Sequence, residues 1–187
     1  MSRHYAGVVV VFFFMLFTTP GAAQIEEGTY VGASVGLGLV APEDETDISG
    51  SGFYAQAEYI LNLTNWFGVR PYAGFVIASG TSDEEAMKDY NMKSNAFLLG
   101  TKVRVAAPIP YVAPFIELGV GVSVGSFETY TPLTEVRKNG FLLHVPYSLG
   151  VAVGRRHQVD IKFTYYHHPS ADQFSGAFAG GFSFKLD

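Results

Sequence analysis

Apolar and polar side chains alternate with a period of two along most of the chain. In the segment that starts at Thr29, the odd positions from Val31 to Leu39 are apolar and the even positions between them are glycine or serine. Seven further segments repeat this alternation, within residues 53–63, 67–77, 97–105, 116–125, 141–151, 159–166 and 177–186. Each segment is about ten residues long, which is typical of a tilted membrane-spanning strand. The pattern predicts an all-β fold, an eight-stranded antiparallel up-and-down transmembrane β-barrel.

The connections between these segments alternate in length. Those around residues 64–66, 106–110 and 154–157 are short, those at residues 41–52, 79–92 and 128–140 are longer and polar, and residues 168–174 form an intermediate one. Short turns at one end and long loops at the other are typical of outer-membrane barrels, in which the turns are periplasmic. With an even number of strands, both termini are then expected on the periplasmic side.

Charge is scarce in this chain. Charged residues make up 16% of it and hydrophobic residues 48%, with a formal net charge of −5. This balance excludes a disordered chain and a nucleic-acid-binding protein. Of the 17 acidic residues, only Glu58, Glu117 and Asp160 fall on the predicted strands. Because a water-facing strand surface needs more charge, a membrane barrel is favoured, and a soluble lipocalin-like ligand-binding barrel is the alternative.

The first 23 residues have the organisation of a secretory signal. A short basic start is followed by an apolar run from Ala6 to Phe17, a break at Pro20, and the small residues Gly21, Ala22 and Ala23. Twelve apolar residues are too few to cross a bilayer as a helix. We therefore predict a cleaved signal peptide at residues 1–23 and a barrel domain at residues 24–187. The chain has no cysteine, so disulfides and thiol chemistry are excluded.

The whole mature chain resembles the small outer-membrane barrels of the OmpA/OmpX type. The segment from Pro114 to Val122 is similar to a strand that is common in such proteins, including the lipid A 3-O-deacylase family. The resemblance implies a Gram-negative outer membrane, with outer-membrane lipids, lipopolysaccharide and the barrel-assembly machinery as partners. Recognition by that machinery would then rest on Phe182, Phe184 and Leu186 of the last strand.

Strand parity turns a set of charged side chains into the barrel. We predict an inward network of Glu58, Arg70, Lys102, Arg104, Glu117, Asp160 and Lys162, with Lys185 as a further inward base. Uncompensated charges in a barrel interior are costly, so these groups are expected to pair. The lumen of eight strands is just wide enough for side chains. The favoured interpretation is a plugged lumen, and an ion path is the alternative.

Two histidines share the inward parity near the loop side of the barrel. We expect His144 and His168 to approach each other at the extracellular mouth with Tyr166 between them, while His167 points outward. A metal site needs further ligands, and only Asp172 is close in sequence. We therefore expect hydrogen-bonded imidazoles and predict no metal site and no cofactor.

The segment His168-Pro169-Ser170 resembles the His-x-Ser motif of the lipid A 3-O-deacylases. The resemblance implies that His168 is the base and Ser170 the nucleophile in attack on an acyl ester. The last strand has no Glu to orient the histidine, so Asp172 is the candidate acid. An enzyme of this kind is the second functional hypothesis. The first is a non-enzymatic barrel with a structural or surface-interaction role.

Acidic residues are concentrated in the first two long loops. They are Glu43, Asp44, Glu45, Asp47, Asp83, Glu84, Glu85 and Asp89. We expect these loops either to bind divalent cations or basic surfaces, or to form a solvated rim without a ligand. Neither loop has the ligand spacing of a dedicated calcium loop.

Overall fold

Eight antiparallel strands close into a barrel in which each strand pairs with its sequence neighbours and the last pairs with the first. The structure is a computed structural model that describes residues 25–42, 49–81, 91–130, 135–169 and 173–186. The strands are β1 (Gly28–Pro42), β2 (Gly50–Asn62), β3 (Phe67–Thr81), β4 (Asn91–Ala106), β5 (Val112–Tyr130), β6 (Glu135–Val153), β7 (Val159–His167) and β8 (Gln173–Lys185). The predicted fold class is confirmed. The predicted signal peptide and the acidic residues of the first two long loops lie outside the described residues.

The alternation in the sequence corresponds to the two faces of the barrel wall. Side chains such as Leu37, Ile116 and Leu149 point outward and are exposed, whereas Tyr54 and Leu98 point inward and are fully buried. Successive strand residues point to opposite faces, so a period of two separates a lipid-facing surface from a lumen. Within the described residues, no helix is long and apolar enough to cross a membrane.

Several strands extend beyond the segments that the apolar pattern marks. The predicted loop at residues 128–140 contains paired strand residues at both ends, with Glu128 opposite Arg137 and Tyr130 opposite Glu135. Ser79 likewise pairs with Lys93 inside the predicted loop at residues 79–92. The expected strand ends were therefore wrong at the loop side. Most residues of these extensions are polar in the sequence, so no sustained alternation of apolar and polar positions marks them as strands.

The barrel interior is layered along its axis. A buried apolar cluster that includes Val76, Leu98 and Phe127 occupies one part of the lumen. A second cluster contains Ala106, Ala113, Phe115 and Ala152, with the half-buried Ile25 packed against it. The lumen is therefore not lined by small and polar residues alone. The charged residues share this lumen with apolar side chains large enough to help fill it.

Candidate functional site

Glu58 is the centre of an ion-pair network inside the barrel. Its Oε1 lies 2.9 Å from Lys102 Nζ and 2.6 Å from Lys162 Nζ, and its Oε2 lies 3.1 Å from Arg70 Nη1. Gln56 donates a further hydrogen bond of 2.6 Å from its Nε2 to Glu58 Oε1. Inward positions on β2, β3, β4 and β7 thus converge on one buried carboxylate.

Glu117 of β5 is the second acceptor of the network. It lies 2.9 Å from Lys102 Nζ and 2.6 Å from Arg104 Nη2. Arg104 continues the chain of contacts to Asp160 of β7, 3.0 Å away, and its guanidinium stacks on the Phe115 ring at 3.5 Å. Because Lys102 touches both Glu58 and Glu117, the two halves form one connected network.

The structure brings together seven of the eight charged side chains that parity assigns to the lumen. Four are cationic and three are anionic, so the network carries one excess positive charge. The expectation that Lys185 joins them was wrong. Its side chain is 40% exposed at the turn-side end of β8, where Nζ lies 3.4 Å from Glu26. Lys185 is the last residue of its strand, and from there a long side chain reaches solvent.

A hydroxyl joins the two inward histidines. Ser123 Oγ lies 2.7 Å from His144 Nδ1 and 2.8 Å from His168 Nε2, and all three residues are buried. Since a hydroxyl has one proton, it donates to one imidazole and accepts from the other. His144 Nε2 also forms a short hydrogen bond with the Tyr72 hydroxyl. The neighbouring Tyr166 ring meets His144 edge-on, with 5.3 Å between the ring centroids.

A tyrosine pair connects the histidine side of the lumen to the charged network. The Tyr54 and Tyr166 hydroxyls lie 2.9 Å apart, and each contacts Gln56 Oε1. Gln56 in turn donates to Glu58. The polar interior is therefore continuous, by hydrogen bonds and one ring contact, from His168 at the loop end of β7 to Asp160 near its other end.

Two glycines make room for the contact between Tyr72 and His144. A Cβ at Gly121 would lie 2.5 Å from His144 Nε2 and 2.6 Å from the Tyr72 hydroxyl, and one at Gly100 would lie 2.7 Å from the same hydroxyl. Any larger residue at either position would displace the Tyr72 side chain. Here glycine is needed because a ring lies directly against the backbone.

The candidate catalytic residues are only partly described. His168 follows the last residue of β7, points into the barrel and is buried against Ser123 and Phe127. Burial lowers the pKa of its imidazole to about 4, so the ring is neutral at pH 7. Its side chain is therefore inside the barrel and not on the lipid-facing wall. Ser170 and Asp172 lie outside the described residues.

Ligand groups for a metal ion do not gather in the described part of the chain. No cluster of three or more His, Cys, Asp or Glu side chains there could hold an ion. The two imidazoles that come together both direct a nitrogen at the Ser123 hydroxyl. The two imidazoles therefore take part in hydrogen bonds to side-chain hydroxyls.

Several partners in these networks were not identified from the sequence. Ser123 links the histidines, Tyr72 completes their chain, and Gln56 connects Tyr54 and Tyr166 to Glu58. The signal in the sequence that could have identified them is parity, since all are polar residues at inward positions of their strands. Parity does not reveal which of them meet, since the contacts cross the lumen between strands that are distant in sequence.

The substitution Ser123→Ala should lower the free energy of unfolding by about 1–3 kcal/mol, because it leaves a buried N–H and a buried ring nitrogen without their partner. Urea titration in lipid vesicles, followed by the fluorescence of Trp66, the single tryptophan, measures this change. Ser126→Ala on the same strand is the matched control. Its hydroxyl is only partly buried, 3.4 Å from Glu128, so a change within about 0.5 kcal/mol is expected. Equal losses in both variants would contradict a special role for Ser123.

Comparisons with known proteins relate this fold to outer-membrane barrel proteins. Residues 9–186 match the family model of the outer membrane protein beta-barrel domain. Neisserial surface protein A (NspA) is similar in structure with a TM-score of 0.56 at 13% identity, covering 86% of this chain and 98% of that chain. OprG from Pseudomonas aeruginosa has a TM-score of 0.50 at 11% identity, with coverage of 88% and 99%. The N-terminal barrel domain of Pseudomonas aeruginosa OprF has a TM-score of 0.50 at 8% identity, with coverage of 84% and 98%. At these identities the likeness concerns the fold, and a search of curated proteins finds no match.

Proposed function

The chain belongs to the outer membrane protein beta-barrel domain family, and on this premise we propose that it is a closed barrel that holds its surface loops in the outer membrane without conducting ions. Its location is the bacterial outer membrane. Long loops of such barrels are extracellular and short turns are periplasmic. The proposed role is therefore structural or surface-directed.

The observation that carries this proposal is the buried network around Glu58. All seven charged side chains contact an opposite charge at 3.1 Å or less. An ion that enters the lumen would have to separate these pairs in a medium where unpaired charge is expensive. A barrel of eight strands has a lumen narrow enough for side chains to fill. Buried apolar clusters that also occupy the interior support the same conclusion.

The loop side of the barrel supports a role at the cell surface. Strands β5 and β6 are both 19 residues long, and their paired ends from residues 126–130 and 135–140 are more polar than the apolar faces below them. Glu128 and Arg137 form an exposed ion pair of 3.1 Å across this hairpin. A paired hairpin is a stiffer support for a loop than an unpaired chain. We propose that the loops are the part of the protein that interacts.

An esterase is not the function that the site supports best. The described member of the His-x-Ser motif, His168, is buried in the lumen and hydrogen-bonded to Ser123. An acyl ester in the bilayer would approach from the outer wall. The network geometry favours a closed barrel over hydrolysis.

Conductance measurements on the purified protein in planar bilayers test the proposal. The wild-type protein should show no large, stable open state. The double variant Lys102→Ala/Glu117→Ala removes one cation and one anion, keeps the net charge of the network, and leaves an opening between Glu58 and Arg104. It should raise the frequency of open events by about tenfold or more, because separation of one buried pair is no longer required.

The matched control is Lys185→Ala/Glu26→Ala, which deletes an ion pair at the partly exposed end of β8. This variant should show no more open events than the wild-type protein. A large stable conductance of the wild-type protein would refute the closed barrel. Identical traces from both double variants would show that the network does not control permeation.

A further inference from the structure

The three residues before β1, residues 25–27, cross the mouth of the barrel at its turn side. β1 begins at Gly28, which pairs with Asn62 at the end of β2. Ile25 is nevertheless packed against the second apolar cluster, which is built from the turn-side ends of β4, β5 and β6. In a ring of eight strands β5 lies opposite β1. Residues 25–27, which we call the N-terminal strap, therefore reach from one side of the mouth to the other.

Gly28 is the residue at which the strap leaves the line of β1. Its φ of +130° lies in a region that residues with a Cβ rarely adopt. A Cβ at this position would also lie 3.2 Å from Lys185 Cε. The chain therefore turns here from the direction of the wall into the direction across the mouth, and glycine is the residue that permits the turn.

Glu26 fixes the middle of the strap. Its carbonyl oxygen accepts hydrogen bonds of 3.2 Å from the Tyr30 hydroxyl and of 3.2 Å from Asn62 Nδ2. Its carboxylate lies 3.4 Å and 4.0 Å from two solvent-exposed cations, and exposed ion pairs contribute little. The two bonds to the carbonyl set the direction of the strap, so the burial of Ile25 provides its main attraction to the barrel.

The second apolar cluster separates the strap from the charged network. The Arg104 guanidinium stacks on the Phe115 ring of this cluster at 3.5 Å. Arg104 is two residues deeper in β4 than Ala106, which ends the strand and is opposite Phe115. Water that enters from the turn side would therefore meet the strap first, then the apolar cluster, and only then the first charge.

We propose that the N-terminal strap closes the turn-side mouth and keeps periplasmic water out of the lumen. Ala106 is the last residue of β4, Ala113 the second of β5 and Ala152 the last but one of β6, yet each is at most 5% exposed. Lys185, at the same end of β8, is 40% exposed. Methyl groups reach only a short way into a mouth, and Ile25 is the side chain that packs over them from outside the strands.

Thiol reactivity tests the strap, because the chain has no cysteine of its own. In protein purified from outer membranes, Ala113→Cys should react slowly with the cationic reagent methanethiosulfonate-ethyltrimethylammonium, since Ala113 is fully buried. Addition of Ile25→Ser should raise the rate of modification, measured by mass spectrometry, about tenfold. A factor of ten corresponds to about 1.4 kcal/mol, which is of the order expected for the half-burial of one isoleucine side chain.

Two substitutions are matched controls for Ile25→Ser. Ile25→Val keeps an aliphatic side chain in the strap and should leave the rate within about twofold of the parent. Leu63→Ser removes an aliphatic side chain that is 57% exposed next to the turn-side end of β2, and it should not change the rate. Heat-modifiable migration on gels checks that each barrel has formed. Ala152→Cys, in register with Ala113, is the second reporter if Ala113→Cys does not fold.

A reporter at the other end of the lumen separates opening of one mouth from loosening of the whole barrel. Ala177→Cys lies in the first apolar cluster, where the side chain is 1% exposed, and Ile25→Ser should leave its rate unchanged. Equal acceleration at Ala177→Cys and Ala113→Cys would overturn the proposal. So would an Ala113→Cys rate that Ile25→Ser does not change, or one that already equals the rate of Leu63→Cys. The readout is thiol reactivity and not conductance, so the strap and the closed-barrel proposal can fail independently.

Discussion

Replacement of Glu58 by glutamine should lower the free energy of unfolding by about 3–5 kcal/mol, the usual cost of removing one partner from a buried ion pair. The amide keeps the size of the side chain but removes the charge that faces Arg70, Lys102 and Lys162. Arg70 and Lys102 still contact Glu117. Lys162 contacts no other carboxylate among the described residues, so its ammonium would be left buried and uncompensated. Urea unfolding in lipid vesicles, followed by Trp66 fluorescence, measures the loss.

Removal of the Lys162 cation, which Glu58→Gln leaves uncompensated, should restore much of this stability. In Glu58→Gln/Lys162→Met, both partners are neutral, and we expect recovery of more than half of the loss because no isolated charge remains. Glu26→Gln is the control for loss of a carboxylate outside the lumen. Its partners Arg156 and Lys185 are solvent-exposed, so the expected change is below about 1 kcal/mol. If Glu58→Gln costs no more than Glu26→Gln, the network is not a stabilising unit.

Replacement of Gly36 by valine should prevent normal closure of the barrel. Gly36 is opposite Ala179 where β1 meets β8, and a Cβ there would collide with the Phe178 carbonyl oxygen and lie 2.6 Å from Ala179 Cα. Backbone cannot rotate away as a flexible side chain can, so both strands would have to shift. We expect a loss of at least about 3 kcal/mol, the upper part of the range for overpacking. The fraction of heat-modifiable folded protein on gels should fall accordingly.

Gly180→Val is a control one register position away. Gly180 is opposite Val35, points out of the barrel, and has no heavy atom closer than 4.0 Å to the position of an added Cβ. Its replacement should change stability by no more than about 0.5 kcal/mol. If the two valine variants lose the same amount of stability, the contact between β1 and β8 is sensitive to any added side chain. The close approach of backbone at Gly36 would then not be the cause.

The sequence was sufficient to sort most strand residues between lipid and lumen. Residues such as Val35 and Gly36 belong to opposite faces because consecutive side chains of a strand point in opposite directions. By the same rule Glu58, Lys102 and Glu117 take inward positions, and the structure has all three buried. The rule also assigns His168 and His167 to opposite faces. These inferences required only local geometry, so neither strand pairing nor closure had to be known.

Predictions that depended on strand ends were less successful. Lys185 has inward parity but reaches solvent at the last residue of β8, and Glu128 lies on a strand where a loop was expected. At strand ends the surroundings change from membrane to water. The apolar signal then disappears although the backbone pairing continues, and a long side chain is free to turn outward.

The pairing within the site required the closed barrel. Glu58 and Lys162 are 104 residues apart, Tyr54 and Tyr166 are 112 apart, and each pair meets across the lumen. Parity identifies which residues enter the lumen but not their height or their partner. Both depend on the register of all eight strands, which closure of β8 on β1 completes.

The sequence by itself therefore determined the strand count, the two faces and most of the lumen charges, because these follow from a two-residue period and the low charge of a lipid-facing wall. Tertiary structure alone decided that Glu58 is the centre of the charge network and that Ser123 joins two imidazoles. Those features depend on stagger between neighbouring strands. Stagger is a property of the whole closed sheet, since each strand's position is set by every other strand around the ring.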